Sequence, residues 1–222
     1  MISYAYRYAP IWQILKSYPR STSKALEVGS GAEGLALFWK GALVSVDVRF
    51  KRRPISQGVQ GSTLHLPFAA GSFPVVTSCD MLEHIHSTHR RAAVLEMVRV
   101  SGSQILLGFP SGETATQLYR DLGQTFGSAQ PDWLREHLAF GLPEADEVAG
   151  WLREAGWQVE TCWYESASMH KRLVSWERSG AARWSSYLIA RSLGRFLIAG
   201  IASGEQSVDD PMRVLLLAKI RV

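Results

Sequence analysis

The chain has 222 residues, of which 46% are hydrophobic and 20% charged, and its formal net charge is +4. This length suits one domain, residues 1–222, with a single sizeable core. The composition excludes disordered and low-complexity proteins. The mild positive charge permits an anionic partner but does not require one.

Neither a secretion signal nor a membrane span is expected. Arg7 and Pro10 interrupt the apolar run near the N-terminus, unlike the core of a signal peptide. The longest purely apolar stretch, residues 196–202, is far below the roughly 20 residues of a spanning helix. Cys79 and Cys162 are too few for a disulfide framework and lack metal-ligand spacing. We therefore expect a cytoplasmic protein without a metal.

The pattern of apolar residues predicts alternating strands and helices. A helical N-terminal extension over residues 1–20 ends near Pro19. The predicted strands are residues 25–28, 43–48, a short strand ending near Gly61, 74–79, 104–109, 157–164 and 212–222. The predicted helices are residues 35–40, one capped by Ser87 or Thr88, 114–126, 133–138 and 143–155. This alternation predicts a mostly parallel sheet covered by helices on both faces, with a helical insert, residues 166–210, before the last strand.

A glycine-rich turn between the first strand and the next predicted helix is the most informative segment. It holds Gly29, Ser30, Gly31 and Gly34 in the pattern G-x-G-x-x-G. Glycines at such a turn permit positive-φ backbone and a close approach of a ligand, and the helix behind them directs its free N–H groups at that ligand. Alone, this pattern equally suits a dinucleotide enzyme.

Two acidic residues favour a different nucleotide ligand. Asp47 ends the second strand, where a carboxylate can hydrogen-bond both hydroxyls of a ribose. Glu27 stands two residues before the first glycine, a position that is usually apolar in dinucleotide enzymes because a pyrophosphate repels a carboxylate. A ligand with a cationic amino group or a sulfonium favours an acid there. The pair therefore predicts S-adenosylmethionine rather than NAD.

The sequence resembles the class I S-adenosylmethionine-dependent methyltransferases, especially the branch that acts on small molecules and quinone-type lipids. The likeness lies in five pieces, in family order, at residues 25–31, 46–48, 66–76, 81–85 and 96–100. The resemblance implies a Rossmann-like, doubly wound α/β fold with a mostly parallel seven-stranded sheet. It also implies methyl transfer from S-adenosylmethionine to an unidentified small-molecule or lipid- or glycan-linked acceptor.

The resemblance also assigns roles to individual positions. The cofactor-binding set that it implies is Glu27, Gly29, Ser30, Gly31, Asp47, Val48, Ser62, Thr63, Ser78 and Cys79. The members near the glycine turn would hold the methionine end, and Asp47 the ribose. Val48 would lie against the adenine face, and Ser62 and Thr63 at its edge. Ser78 or Cys79 would offer backbone to the amine. The family usually has Asp where Ser62 stands, which predicts weaker adenine binding.

His84 and His137 are the candidate catalytic residues. His84 follows the fourth strand, where the acceptor should meet the methyl group, and a general base there contributes about 10²–10⁴-fold. His137 lies ahead of Gly141 and could project from a cap over the site. Either histidine could instead be a structural hydrogen-bonding residue, because an in-line displacement from a sulfonium needs no protein nucleophile.

Two interpretations of the insert, residues 166–210, stay open. It has an apolar stripe with Arg191 and Arg195 opposite. The insert could be a lid that contacts an anionic or lipid-linked acceptor, or a membrane surface. It could also be an ordinary helix packed on the sheet with a solvated basic face.

Three other functions share some of these sequence features. An NAD-dependent oxidoreductase is disfavoured by Glu27 and by the lack of a second nucleotide-binding half. A nucleic-acid methyltransferase is disfavoured because Ser78 and Cys79 stand where an Asn/Asp-Pro-Pro-aromatic or Pro-Cys motif would be. A non-catalytic relative that binds cofactor remains open.

Overall fold

The computed structural model describes residues 2–18, 24–177, 180–203 and 209–220, and one seven-stranded sheet runs through them. The strands are β1 (Ala25–Val28), β2 (Leu43–Asp47), β3 (Gln57–Gln60), β4 (Phe73–Cys79), β5 (Ser101–Pro110), β6 (Trp157–Ser166) and β7 (Pro211–Ile220). Their order is β3-β2-β1-β4-β5-β7-β6, and only β7 runs antiparallel to its neighbours. The predicted Rossmann-like, mostly parallel seven-stranded sheet is confirmed.

The central strands form where the sequence is apolar on both faces of the sheet. All four residues of β1 are buried, and β4 and β5 each carry a continuous buried run. Burial on both faces is the property of parallel strands that lie between two layers of helices. By contrast, three of the four residues of the edge strand β3 are exposed.

Seven α-helices surround the sheet in the described part of the chain. They are α1 (Ile2–Leu15), α2 (Ser87–Val100), α3 (Gly112–Phe126), α4 (Asp132–Phe140), α5 (Ala145–Glu154), α6 (Ala167–Glu177) and α7 (Gly180–Ser203). One face of the sheet packs against α2 and α5, and the other against α1 and α7. A third apolar cluster joins α3 and α4 to the first residues of β7, and α6 packs against it. No helix among these ranges is both long and apolar enough to cross a membrane.

The region after the glycine turn differs from the prediction. The helix predicted over residues 35–40 is wrong, since the structure has a short 3-10 helix, Gly34–Leu37. The backbone N–H of Leu35 donates to the buried carboxylate of Glu27, and the indole of Trp39 donates to the carbonyl of Leu15 at 3.2 Å. These anchors turn the chain toward β2, which begins at Leu43, before a longer helix can form.

Two other helix predictions change in detail. The capping residue of α2 is His86, whose ring accepts from the N–H of Thr88, rather than Ser87 or Thr88. The insert, predicted as helical without a division, holds two helices, α6 and α7. Pro19, where the N-terminal helix was expected to end, lies outside the described residues.

Candidate functional site

A cavity of about 880 Å³ opens at the carboxyl ends of β1, β2 and β4. In open α/β sheets this edge is where ligands bind. The glycine turn and the end of β2 line one side of the cavity. Residues of α1, α3, α4 and α6 close the other sides, so the cavity runs from the glycine turn to the helices that cover the sheet edge.

The glycine turn presents open backbone to this cavity. Gly29 and Gly31 adopt φ of +75° and +59°, which disfavours side chains. A Cβ at Gly31 would meet nothing within 4 Å, so this residue faces open space, whereas a Cβ at Gly29 would collide with Met81. Gly29, Ser30 and Gly31 all line the cavity. The turn thus forms a cradle that a side chain at position 31 would fill.

Glu27 supports the glycine turn from behind. Its carboxylate is fully buried, accepts hydrogen bonds from the N–H of Leu35 at 3.0 Å and from the hydroxyl of Tyr8 at 2.8 Å, and does not line the cavity. A Cβ at Gly34 would lie 2.5 Å from a carboxylate oxygen, so glycine is required there. Burial raises the pKa of Glu27 to about 7, against the lowering effect of these hydrogen bonds.

Asp47 connects the end of β2 to the glycine turn. Its carboxylate accepts from the N–H of Gly31 at 2.8 Å and from the N–H of Arg49 at 3.1 Å. Val48 beside it is 63% exposed, and both residues line the cavity. The exposed Val48 side chain and the Asp47 carboxylate offer an apolar surface next to a hydrogen-bond acceptor, which suits a nucleoside.

The remaining predicted cofactor residues divide into two groups. Thr63 and Cys79 line the cavity, and the buried hydroxyl of Thr63 has no hydrogen-bond partner among the described residues. Ser62 and Ser78 do not line it. The hydroxyl of Ser62 accepts from the N–H of Leu64, and that of Ser78 donates to the carbonyl of Val28. Burial raises the pKa of Cys79 to about 12, which keeps its thiol protonated and unsuited to act as a nucleophile.

The two predicted catalytic histidines meet at the other end of the cavity. The Nε2 atoms of His84 and His137 lie 3.4 Å apart, and His84 Nδ1 lies 2.5 Å from the carboxylate of Glu136. His137 is packed between the rings of Tyr119 and Trp133. Burial, and then the charge of His84, lower the pKa of His137 to about 3, so its ring is neutral at physiological pH.

Glu83 completes this cluster and was not predicted. Its carboxylate is fully buried, lines the cavity and lies 3.9 Å from His137 Nε2. Neither carboxylate oxygen accepts a hydrogen bond from another described residue. Burial raises the pKa of Glu83 to about 8. The one sequence signal for Glu83 was its position directly before His84, since an acid and a histidine then follow the same strand.

Arg90 holds the elements of this cluster together. Its guanidinium donates to the carbonyls of Leu82 and Ile85 at 3.0 Å, and to those of Phe140 and Gly141 at the end of α4. The 3-10 turn that carries Glu83 and His84 is thereby fixed to the helix that carries His137.

A buried ionic network lies beside the cavity and was also missed. Arg213 forms ion pairs with Asp80 and with Glu165, and His170 Nδ1 lies 2.8 Å from Glu165. Arg7 forms a second ion pair with Asp80. Asp80 and Glu165 are the two non-glycine residues with positive φ in the described chain, at 58° and 55°. Such backbone costs of the order of 1–3 kcal/mol each and persists only where the surroundings enforce it.

Helices α1 and α6 close the cavity. Ser3 and Arg7 of α1 and His170 and Val174 of α6 line it. The hydroxyl of Ser3 donates to Glu177 at the end of α6 at 2.9 Å, which connects the two helices over the opening. The predicted N-terminal extension is therefore part of the wall. Part of the predicted insert is as well, although the side chains of Arg191 and Arg195 lie outside the described set.

The cavity fits S-adenosylmethionine by three independent features. The open side of Gly31 and the Asp47 carboxylate face it in the places the resemblance implies, and Thr63 lines it with its buried hydroxyl unpartnered among the described residues. Its volume is near the upper end of ligand pockets, about 300–1,000 Å³, and leaves room for an acceptor.

Comparisons with known proteins agree with this fold. Residues 26–104 match the family model described as "Methyltransferase domain", and a search of the curated proteins gave no significant match. The chain is similar to a putative methyltransferase from an antibiotic biosynthesis pathway of Anabaena variabilis, with 16% identity, a TM-score of 0.60, and coverage of 97% of this chain and 99% of that chain.

Two further structures show how widely the fold is used. Magnesium protoporphyrin IX methyltransferase of Synechocystis, solved with bound SAH, has 11% identity, a TM-score of 0.56, and coverage of 99% of this chain and 83% of that chain. The 4+2 cyclase SpnF has 14% identity, a TM-score of 0.56, and coverage of 97% and 80%. Residues 26–104 therefore match a methyltransferase domain, and the fold of these solved structures extends over nearly the whole chain.

Proposed function

We propose that this protein transfers the methyl group of S-adenosylmethionine to a small-molecule acceptor bound in the same cavity. The observation that carries the proposal is that one continuous cavity joins the glycine turn and Asp47 to the His84–His137 cluster. A cofactor held at the first end would present its methyl group toward the second. When bound, the cofactor supplies a methyl carbon activated by the sulfonium.

At the cofactor end, residues of the chain bind and orient S-adenosylmethionine. Asp47 accepts hydrogen bonds from the ribose hydroxyls, and the open backbone at Gly29 and Gly31 accommodates the methionine part. Thr63 reads the adenine edge with its hydroxyl, and Val48 lies against the adenine face. These roles rest on the placement of all five residues along one side of the cavity.

At the acceptor end, the lining is aromatic and apolar. Phe126, Trp133 and Val174 form part of this wall, together with Tyr4 of α1. An acceptor with an apolar or aromatic body fits such a surface, and a lipid-linked form of it would extend toward the mouth. Among the described lining residues, Arg7 is the one Lys or Arg, and it already pairs with Asp80. The lining therefore gives no support to an anionic acceptor.

Catalysis in this proposal consists mainly of positioning. Holding the acceptor and the methyl group in line lowers the activation barrier by up to about 7–11 kcal/mol, and it needs no protein nucleophile. The buried, protonated Cys79 agrees with that view. His84 and His137 lie where the attacking atom of the acceptor is held, and the covering helices exclude water from the reaction.

Calorimetric titration of the full chain tests the cofactor assignment. We expect micromolar binding of S-adenosylmethionine and of its demethylated product, and no binding of NAD. Asp47→Ala removes charge-assisted hydrogen bonds worth about 1.5–3 kcal/mol, roughly 10- to 150-fold in affinity. Asp121→Ala, at a half-buried position on α3 outside the cavity lining, is the matched control and should leave affinity unchanged. Binding of NAD with S-adenosylmethionine ignored would overturn the proposal.

A further inference from the structure

We infer that Glu83, His84 and His137 bind a divalent transition-metal ion of the zinc type at the acceptor end of the cavity. One oxygen or nitrogen atom from each residue lies within 4.8 Å of the others, and all three residues line the cavity. The sequence predicted no metal here, because the ligands are divided between the turn after β4 and α4, 53 residues apart.

The distances match a metal site that needs only a small closure. His84 Nε2 and His137 Nε2 lie 3.4 Å apart, and Glu83 lies 3.9 Å from His137 Nε2. Ligands at zinc distances of about 2.0–2.2 Å in a tetrahedron are roughly 3.4 Å from one another. Two histidines and a glutamate also form one of the ligand sets of catalytic zinc, which keeps its fourth position open. Here that position would face the cavity.

The unpaired state of Glu83 is an independent observation that points to a cation. Its side chain is 0% exposed, and neither carboxylate oxygen accepts a hydrogen bond from another described residue. Burying a carboxylate without a partner is costly unless a counter-ion or metal neutralises it. The nearby guanidinium of Arg90 is taken up by four backbone carbonyls, and that of Arg7 by Asp80. A metal ion would supply the missing partner.

The surroundings orient the ligands as metal sites require. Glu136 contacts His84 Nδ1, which leaves Nε2 directed at the cluster. A carboxylate on the far nitrogen of a ligating histidine fixes its tautomer and orientation in this way. Tyr119 and Trp133 pack against the ring of His137, so it is held in place as well.

The site deepens the proposed function and rests on it for its chemical role. The open metal position would take the hydroxyl or thiol of the acceptor, and a metal ion lowers the pKa of a bound oxygen or sulfur acid. The acceptor releases its proton to solvent on binding. Its oxygen or sulfur then forms a bond to the methyl carbon, and the cofactor's carbon–sulfur bond breaks with its electron pair kept on sulfur. The acceptor class is therefore an apolar small molecule with a hydroxyl or thiol.

Metal binding by the chelator-treated full chain tests this inference directly. We expect one Zn²⁺ per chain by calorimetry, and a Co²⁺-loaded protein whose visible absorption is that of a four-coordinate ion. Glu83→Gln and His137→Asn each remove a ligand and should weaken metal binding by more than about 100-fold. Glu136→Gln changes only a residue that supports a ligand, and we expect it to weaken metal binding by about 10- to 100-fold. His89→Ala, an exposed histidine on α2, is the matched control and should bind as wild type does.

The outcomes separate this inference from the proposed function. Circular dichroism and titration with the demethylated cofactor show that each variant is folded with its nucleotide end intact. Absence of stoichiometric Zn²⁺ binding by wild type, or equal binding by Glu83→Gln and His137→Asn, overturns the metal site. If the demethylated cofactor still binds in that case, the proposed function stands without the metal site. If the metal binds but the cofactor does not, the proposed function fails and the metal site stands.

Discussion

At Gly31, the position that a side chain would occupy faces the cofactor space, and this predicts a specific loss of binding when a side chain is added. A valine at position 31 would project into the cavity, because a Cβ there meets nothing within 4 Å. Gly31→Val should abolish binding of the demethylated cofactor in calorimetric titration. The positive φ of +59° adds strain of the order of 1–3 kcal/mol, which chemical unfolding would measure.

Gly71 offers a matched control for that experiment. It has a similar φ of +65°, its added Cβ would also meet nothing within 4 Å, and it lies outside the cavity lining. Gly71→Val should therefore lose similar stability and keep full cofactor affinity. If both variants bound equally well, the nucleotide would not lie against Gly31.

Single residues near strand ends were predictable, whereas their distant partners were not. Gly31 and Asp47 could be placed at the cavity because each lies at or just after the carboxyl end of a strand that forms this edge. The hydrogen bond of Glu27 to Tyr8 joins residues on different elements, and local pattern holds no information about it. Glu83 was missed for a similar reason, since its neighbour His137 lies on α4 and comes next to it only in the folded chain.

Helix α1 is connected to β1, next to the glycine turn, by the hydrogen bond that Tyr8 donates to the buried Glu27. Tyr8→Phe removes this donor and should cost about 1.5–3 kcal/mol of unfolding free energy when the carboxylate is charged. The hydrogen bond lowers the pKa of Glu27, which burial raises to about 7, so without it the pKa rises further. An acid with a raised folded pKa loses stability as pH rises from its unfolded to its folded value.

The Tyr8→Phe loss should therefore be larger at pH 8 than at pH 5, where Glu27 is protonated in either protein. Urea unfolding at both pH values measures it. Tyr6→Phe, on the same helix, is the control and should show little change at either pH. A loss of equal size at pH 5 and pH 8 would mean that the tyrosine acts by packing alone.

At the level of elements, the strands were predicted better than the helices of the insert. Continuous apolar runs identify strands buried on both faces, and every predicted strand is present in the sheet. The apolar stripe predicted in the insert divides in the structure. Leu197 and Ile201 pack on the core cluster, whereas Leu193 and Phe196 are 54% and 71% exposed. Helical periodicity predicts a face but not what covers it, so the lid remains a prediction.

The whole molecule is joined at one point where distant segments meet. Arg213 at the start of β7 pairs with Asp80 after β4 and with Glu165 at the end of β6. Burial lowers the pKa of Arg213 to about 9, and it still carries its charge at neutral pH. No sequence pattern could predict this network, because its members lie on or beside separate strands and its order depends on the antiparallel placement of β7. It holds both positive-φ residues in place beside the cavity.

Removing that charge should therefore destabilise the entire fold. Arg213→Met keeps much of the side-chain volume but leaves Asp80 and Glu165 without their shared counter-ion. Breaking one partner of a buried ion pair costs about 3–5 kcal/mol. Arg120→Met, which removes an exposed pair with Glu113, is the control and should cost at most about 1 kcal/mol. Urea unfolding measures both losses, and a loss no larger than that of the control would show that the network contributes nothing to stability.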